Sequence, residues 1–276
     1  MEPVRGTHKQ VCGRHTPTNK FVGDTQRLPI VLAPCYPSFV THFFPAHDPD
    51  ARALLRGIYP ILNVAPDTDL ESLLDWALRL PDAGVSLVQV RAKGFADEAL
   101  PLLLDELIGQ LRGSGLAVVL NDLVELVGVT GAEGVHVGID DFPVFNARAI
   151  LGPRAIVGAT VRNHAEALLA IGQGASYVAA GSVFPSPTKP GAPVIGLEGL
   201  RSVVEHVKSE GPHRPGWGPA DSAPVCAIGG IALERLADIY KTGASMAAVI
   251  SAIQDADDPV EAARKMVEEW ERLEMA

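Results

Sequence analysis

Cysteine is scarce in this sequence, and the three present, Cys12, Cys35 and Cys226, stand at unrelated spacings. An odd count so arranged makes neither a disulfide framework nor a zinc knuckle, and it fits a reducing, cytoplasmic setting. Aromatic residues are only 5% of the chain, against 27 glycines. That balance points to tight turns and close backbone approaches rather than an aromatic binding surface. No apolar run approaches the ~18 residues of a membrane span, so no membrane partner is expected. Residues 28–35, "LPIVLAPC", have the outline of a lipoprotein cleavage site. Pro29 and Pro34 break that run to about seven residues, too short for a signal core. Positive charge is also in deficit: Lys plus Arg total 23 against 33 for Asp plus Glu, a net charge of −10. No nucleic-acid partner is expected, and any anionic ligand must be held by local cations.

What is present suffices for a large core. With 276 residues, 47% of them hydrophobic and 20% charged, global disorder is excluded, and one large domain or two small ones are compatible with the length. Residues 1–56 show no regular period of 2 or 3.6 and are expected to form an irregular N-terminal extension, with Phe39, Phe43 and Phe44 available to pin part of it to the main domain. Residues 57–276 instead alternate short apolar runs with longer stretches of helical spacing. Strands are expected at 58–63, 85–90, 116–120, 134–137, 155–159, 176–181, 224–229 and 246–250. The first helical pattern runs through Leu70, Leu73, Leu74, Ala77 and Leu78, with Asp67 and Thr68 as caps. Others lie at 97–112, 163–171, 197–208, 232–241 and 258–271. Strands apolar throughout suit a parallel sheet covered on both sides. Eight βα units in about 220 residues predict an α/β fold, a (β/α)8 TIM barrel. A doubly wound sheet would show a glycine fingerprint after its first strand, and none is there. The Gly- and Pro-rich stretch 209–223, with His213 and Trp217, falls between a helix and a strand, hence on the bottom face away from chemistry.

Barrel chemistry sits where strands end. The second strand ends in Gln89, Arg91 and Lys93, and two cations at alternate positions form a clamp for an oxyanion. The third ends at Asn121 and Asp122, and the fourth leads through His136 to Asp140 and Asp141. Acidic groups from neighbouring strands suit a hard cation that keeps waters and phosphate oxygens as its other ligands, so Asp122 and Asp141 are magnesium candidates. The competing role is capping: Asp122 for the helix beginning near Leu123, and one of the pair Asp140 and Asp141 for the helix near Pro143. After the sixth strand, residues 181–193 form a Pro-rich loop holding Ser186, Thr188 and Lys189. Such a loop can cover the mouth and bring a further cation to a phosphate. Strands seven and eight end in Gly229, Gly230 and Ser251, where barrels tend to hold a phosphate on backbone N–H groups. No Ser-His-Asp arrangement or Cys-His pair can be assembled from these ends. A phosphate cradle, a separate cationic clamp and a carboxylate pair together fit two phosphorylated groups, one of them a diphosphate.

Six motifs, "LVQVRAKG", "VVLNDLVEL", "AEGVHVGIDD", "GASYVAAGSVFPSPTK", "PVCAIGGI" and "GASMAAVISAI", follow one another in an order and spacing that resembles thiamine-phosphate synthase. The similarity to the thiamine-phosphate synthase and thiazole tautomerase superfamily spans roughly residues 58–272. It implies a magnesium-dependent barrel that joins hydroxymethylpyrimidine diphosphate to hydroxyethylthiazole phosphate, in its carboxylated form, and releases pyrophosphate. It further implies that Arg91, Lys93, Asn121 and Lys189 hold the diphosphate, and that Asp122 and Asp141 bind magnesium. Gln89 and His136 would face the pyrimidine; Gly229, Gly230, Ile250 and Ser251 would cradle the thiazole phosphate. Thr160 stands where the family carries a hydroxyl after strand five, usually Ser. The implied reaction is a dissociative displacement in which positioning and electrostatics supply most of the rate.

The sequence departs from that pattern at Ala92 in place of Glu, Ile139 in place of Gln, Thr160 in place of Ser and Ser186 in place of Thr. A thiazole tautomerase would rely on a histidine just after strand five, where this chain has Arg162. A reading of another class is a non-catalytic barrel that senses a phosphorylated thiazole or pyrimidine. A homo-oligomer is compatible with the sequence.

Overall fold

The computed structural model describes residues 51–276 apart from Asp97, Ile139, Asp140, Pro187, Lys189 and residues 213–221. The expected extension up to position 50 lies outside the described residues, as do Lys189, His213 and Trp217. Eight parallel strands pair in chain order and close into a barrel: β1 (Gly57–Val64), β2 (Leu87–Ala92), β3 (Ala117–Asn121), β4 (Gly134–Val137), β5 (Ile156–Val161), β6 (Tyr177–Gly181), β7 (Val225–Ile228) and β8 (Met246–Val249). Closure comes from β1 and β8, with Tyr59 beside Ala248 and Pro60 beside Val249. Each strand lies within two residues of its expected span.

One helical turn, α1 (Ala51–Leu54), precedes the barrel. The outer helices are α2 (Leu70–Ala77), α3 (Leu100–Gly113), α4 (Val124–Thr130), α5 (Val144–Leu151), α6 (His164–Gly172), α7 (Gly196–Glu210), α8 (Leu236–Tyr240), α9 (Ser251–Gln254) and α10 (Pro259–Glu274). Helix α2 is capped one position later than expected. Asp69 Oδ1 accepts the Ser72 N–H at 3.2 Å, while Thr68 Oγ1 accepts the Ala65 N–H at 2.8 Å. The single turn α9, directly after β8, leaves no helical period in the sequence because four residues are too few to show one.

The uniformly apolar strands divide their side chains between two cores with a period of 2. Outward residues such as Leu62, Val64, Val88, Val90, Leu120, Val157 and Val178 pack under the helices. Inward residues Tyr59, Ile61, Leu87, Val119, Ile156, Tyr177, Cys226 and Met246 fill the barrel, and Leu55, just before β1, joins them.

The bottom face is tied by one guanidinium. Arg148, on α5, donates from Nε to Gly174 O at 3.0 Å, from Nη1 to Gly152 O and Ala155 O at 2.7 Å each, and from Nη2 to Ser176 Oγ at 2.9 Å. It thus links the loop entering β5 to the loop entering β6. Ser176 Oγ also accepts the Val157 N–H at 3.1 Å, which carries the link into the sheet. Hydrogen bonds from a charged donor contribute about 1.5–3 kcal/mol each, and orphaned carbonyls add to the loss. Arg148→Met is therefore expected to lower unfolding free energy by about 3 kcal/mol or more. Urea denaturation checks this, and a loss below about 1 kcal/mol would show that the loops hold without it.

Candidate active site

The C-terminal ends of the strands bring polar side chains to one rim. Asn63, one residue before the end of β1, lies beside Arg91 of β2, and the Arg91 guanidinium donates to Asn63 Oδ1. The same asparagine exchanges a pair of hydrogen bonds with α9: its N–H donates to Gln254 Oε1 and its carbonyl accepts from Gln254 Nε2, both at 2.8 Å. The arginine is thus oriented by a residue that the turn after β8 holds in place.

Asp122 is the junction of the rim. Its Oδ2 accepts from Lys93 Nζ at 2.7 Å and from Asn121 Nδ2, while Oδ1 accepts the Gly138 N–H at 3.3 Å. Among the described residues it is the one non-glycine with positive φ, at 64°. That conformation is costly for a residue with a Cβ, though least so for Asn and Asp. Helix α4 takes Leu123 as its N-cap and α5 takes Pro143, with no side-chain cap at either. Neither aspartate is spent on capping. Asp141 is exposed, and its Oδ2 lies 1.9 Å from where a Cβ on Gly138 would stand. Both carboxylates therefore border Gly138. Among the described residues no group of three His, Cys, Asp or Glu side chains could hold a metal. A cation at this rim would take its remaining ligands from water and phosphate, as magnesium usually does.

Across the mouth, the Gly229–Gly230 turn has φ values of 99° and 62°. A Cβ on Gly229 would meet Ser182 Oγ at 2.0 Å, and one on Gly230 would meet Pro185 O at 2.5 Å. Part of the need for glycine here is thus the loop after β6, which lies against the turn. Arg235 holds the same place, with its guanidinium 4.5 Å over the Phe184 ring and donating to Gly230 O. Ser186 and Thr188 of that loop are half-buried, and Ile250 leads from β8 into Ser251, the first residue of α9.

Below the rim runs a buried polar chain. Gln89 and His136 are 2% and 4% exposed. Gln89 Nε2 donates to Tyr59 Oη at 3.2 Å, and Tyr59 Oη lies 3.1 Å from Tyr177 Oη. Tyr177 Oη lies 2.9 Å from His136 Nδ1, and His136 Nε2 lies 2.9 Å from Thr160 Oγ1. Gly158 makes the crossing feasible, since a Cβ there would stand 2.3 Å from Tyr177 Cζ and 2.5 Å from His136 Nδ1.

A thiamine monophosphate synthase family model matches residues 58–253. The chain belongs to that family. Thiamine-phosphate synthase of Caldivirga maquilingensis is 36% identical over 218 residues, covering 79% of this chain and 98% of its own. The Myxococcus xanthus enzyme of the same name is 38% identical over 227 residues, covering 81% and 96%. Among solved structures, thiamine phosphate pyrophosphorylase from Pyrococcus furiosus superposes with a TM-score of 0.66 at 32% identity, covering 81% and 98%.

Within this thiamine-phosphate synthase family member, Lys93, Asn121 and Asp122 meet directly, and Arg91 stands on the neighbouring strand position. His136 meets Thr160 directly, and Gln89 is joined to them only through Tyr59 and Tyr177. The two tyrosines, Asn63, Gln254 and Gly138 escaped the sequence reading. An inward tyrosine in the middle of a strand looks like packing, whereas the alternation that sends Gln89 inward also sends Tyr59 inward, and that was the available signal. Position 162, where a tautomerase would rely on histidine, carries Arg162, whose N–H donates to Glu166 Oε2 at 2.7 Å. Ala92 is buried against the outer helices and lines no part of the rim.

Burial pushes the phenols of Tyr59 and Tyr177 above their ordinary value of 10.0. A group whose folded pKa is raised contributes stability below its unfolded pKa and loses it as pH rises above that value. Stability is therefore expected to fall above a pH of about 10, with both phenols ionising only as the barrel opens. Phenolate absorbance followed alongside circular dichroism tests this; ionisation of all four tyrosines in the folded protein would contradict it.

Proposed function

We propose that this chain synthesises thiamine phosphate, the reaction for which its family is named, as a transferase in thiamine biosynthesis. In detail, the nitrogen of the carboxylated hydroxyethylthiazole phosphate forms a C–N bond to the methylene carbon of hydroxymethylpyrimidine diphosphate. The C–O bond to the diphosphate breaks, and pyrophosphate leaves with the electron pair; the bond from the thiazolium ring to its carboxylate then breaks, CO2 leaves, and the ring carbon keeps the electron pair and takes up a proton. Arg91, Lys93, Asn121 and Lys189 are assigned to the diphosphate, Gln89, His136 and Thr160 to the pyrimidine side. Ser186, Thr188, Gly229, Gly230, Ile250 and Ser251 are assigned to the covering loop and the thiazole phosphate. The chain's scarcity of cysteine and its buried free thiol at Cys226 support a cytoplasmic location. Among the described residues no helix is long and apolar enough to cross a membrane.

The observation that supports this reading most is the junction at Asp122, where a carboxylate, an ammonium and an amide share one rim position. Lys93 is 49% exposed at its side chain, so the ion pair contributes little to folding. A diphosphate can take over the lysine at small cost. Asp122 and Asp141 supply hard oxygen donors around Gly138, a set that fits magnesium. When bound, magnesium would neutralise charge developing on the leaving pyrophosphate. The chain's own part is to aim Arg91 and Lys93 at the same oxygens before reaction, so that no reorganisation is needed during it. The covering loop after β6 would keep water from the electron-poor pyrimidine methylene carbon.

Purified protein supplied with both phosphorylated substrates and magnesium is expected to release pyrophosphate. Asp122→Ala and Lys93→Ala should each lower kcat about a hundredfold or more while the barrel stays folded. A folded wild-type protein that binds one phosphorylated ligand and releases no pyrophosphate would overturn the reading in favour of a sensor.

A further inference from the structure

The buried chain beneath the rim has a direction, and its direction assigns a role to residues that no reading above uses. A buried hydroxyl left without a partner costs about 1–3 kcal/mol, while removing both members of a hydrogen bond together can be nearly neutral. A pair of phenylalanines at 59 and 177 would fill the same space with no hydroxyl to satisfy. The tyrosine rings meet edge to face with centroids 5.9 Å apart, and Tyr177 packs 5.5 Å from the His136 ring, contacts that phenylalanine would keep. Packing therefore explains the rings and leaves the two hydroxyls unexplained.

The proton order follows from one end. Gln89 Nε2 donates to Tyr59 Oη, so the Tyr59 proton goes to Tyr177 Oη. The Tyr177 proton then goes to His136 Nδ1. With Nδ1 accepting, neutral His136 carries its proton on Nε2 and donates it to Thr160 Oγ1. Thr160 accepts from below and keeps its own proton. Unlike the four groups beneath it, Thr160 is half-buried, at the open end of the barrel. In this polarity every proton in the chain points toward the mouth.

We propose that Tyr59 and Tyr177 are positioning residues that, driven by Gln89, hold His136 as the Nε2–H tautomer and thereby present the Thr160 hydroxyl as a hydrogen-bond donor to an acceptor atom of the bound pyrimidine. The proposal rests on the assignment of the pyrimidine to this side of the mouth. It requires no net proton transfer, because each group keeps its proton and only the orientation is fixed. The opposite polarity is chemically complete as well: a turned Gln89 amide accepting from Tyr59 would make His136 the Nδ1–H tautomer and spend the Thr160 proton on His136. The two polarities differ in an observable.

The test is nitrogen-15 NMR of the histidine rings in the full-length protein without substrate, with the His136 signals identified by their loss in His136→Asn. The expected spectrum has an unprotonated Nδ1 and a protonated Nε2 at neutral pH. Tyr177→Phe removes the donor to Nδ1, so it should shift His136 toward the Nδ1–H form. It should also lower kcat about tenfold with KM changed less than about twofold, in a protein that stays folded but is less stable, because the Tyr59 hydroxyl and His136 Nδ1 both lose their partner. Thr160→Val should lose as much kcat as Tyr177→Phe, and Thr160→Ser, which restores the hydroxyl, should recover most of that loss. Should Tyr177→Phe not fold, the wild-type tautomer and the Thr160 pair decide alone. An Nδ1–H tautomer in the wild type, or wild-type kcat in folded Thr160→Val, overturns the proposal. The tautomer is read without turnover, so a wild-type protein that makes no thiamine phosphate would count against the proposed function and leave this measurement standing.

Discussion

Closure of eight parallel strands forces every second side chain into a space with no exit except the two ends, and that space must be filled to crystal-like density. Here the filling is uneven in size. Tyr59 and Tyr177 are fully buried, and the residues paired with them on the neighbouring strands are Ala248 and Gly158. Large rings against missing side chains pack well, but they carry two hydroxyls into a region without water. Each hydroxyl then needs a partner, and Gln89 and His136 supply them. No buried side-chain polar atom among the described residues lacks a partner. Filling accounts for the rings, the choice of tyrosine over phenylalanine brings the polar chain with it, and the upper end of that chain, Thr160, emerges at the mouth.

The two ends of the barrel are held differently. At the bottom, Arg148 spends its donors on backbone carbonyls and Ser176, which fixes two loops by bonds that a ligand has no means to claim. At the top, Lys93 pairs with Asp122 at the solvent boundary, where water screens the attraction. Rigidity is concentrated away from the mouth, and exchangeable partners at it. Asp122 itself is not exchangeable in position: its backbone N–H donates to His136 O at 2.8 Å, so its left-handed φ is held by the fourth strand.

The barrel was legible because eight apolar runs recur with helical spacing between them, a pattern repeated often enough to outweigh an error of two residues at any boundary. The rim was legible for the same reason: once strands are placed, alternation sends Gln89, Arg91, Asn121, His136 and Thr160 inward together. What stayed hidden were contacts between residues far apart in sequence whose types suggest packing. Tyr59 and Tyr177 are 118 residues apart, and Asn63 and Gln254 are 191 apart. Neither pair carries a local signal. Gly138 was hidden because its part in the rim is a backbone N–H that donates to Asp122, and the meaning of Gly229 and Gly230 was only half visible, since their contact with Ser182 and Pro185 depends on a loop from another strand. Asp69 rather than Asp67 or Thr68 caps α2 because Thr68 is already committed to Ala65.

The net charge of −10 gains a meaning from this geometry. A strongly acidic chain repels a free diphosphate at long range, so recognition has to come from short-range groups whose charge is not already cancelled. Arg91 meets this condition because its named partner is the neutral Asn63. Lys93 meets it conditionally, since its partner Asp122 is a carboxylate that a divalent cation would neutralise. A cation binding at Asp122 and Asp141 would release the lysine toward the phosphate as it arrives. Cation and diphosphate would then favour each other's binding, and neither would be held as well alone. In an acidic protein such a coupling would itself be selective: it would admit a diphosphate accompanied by a metal and disfavour a bare anion of the same size.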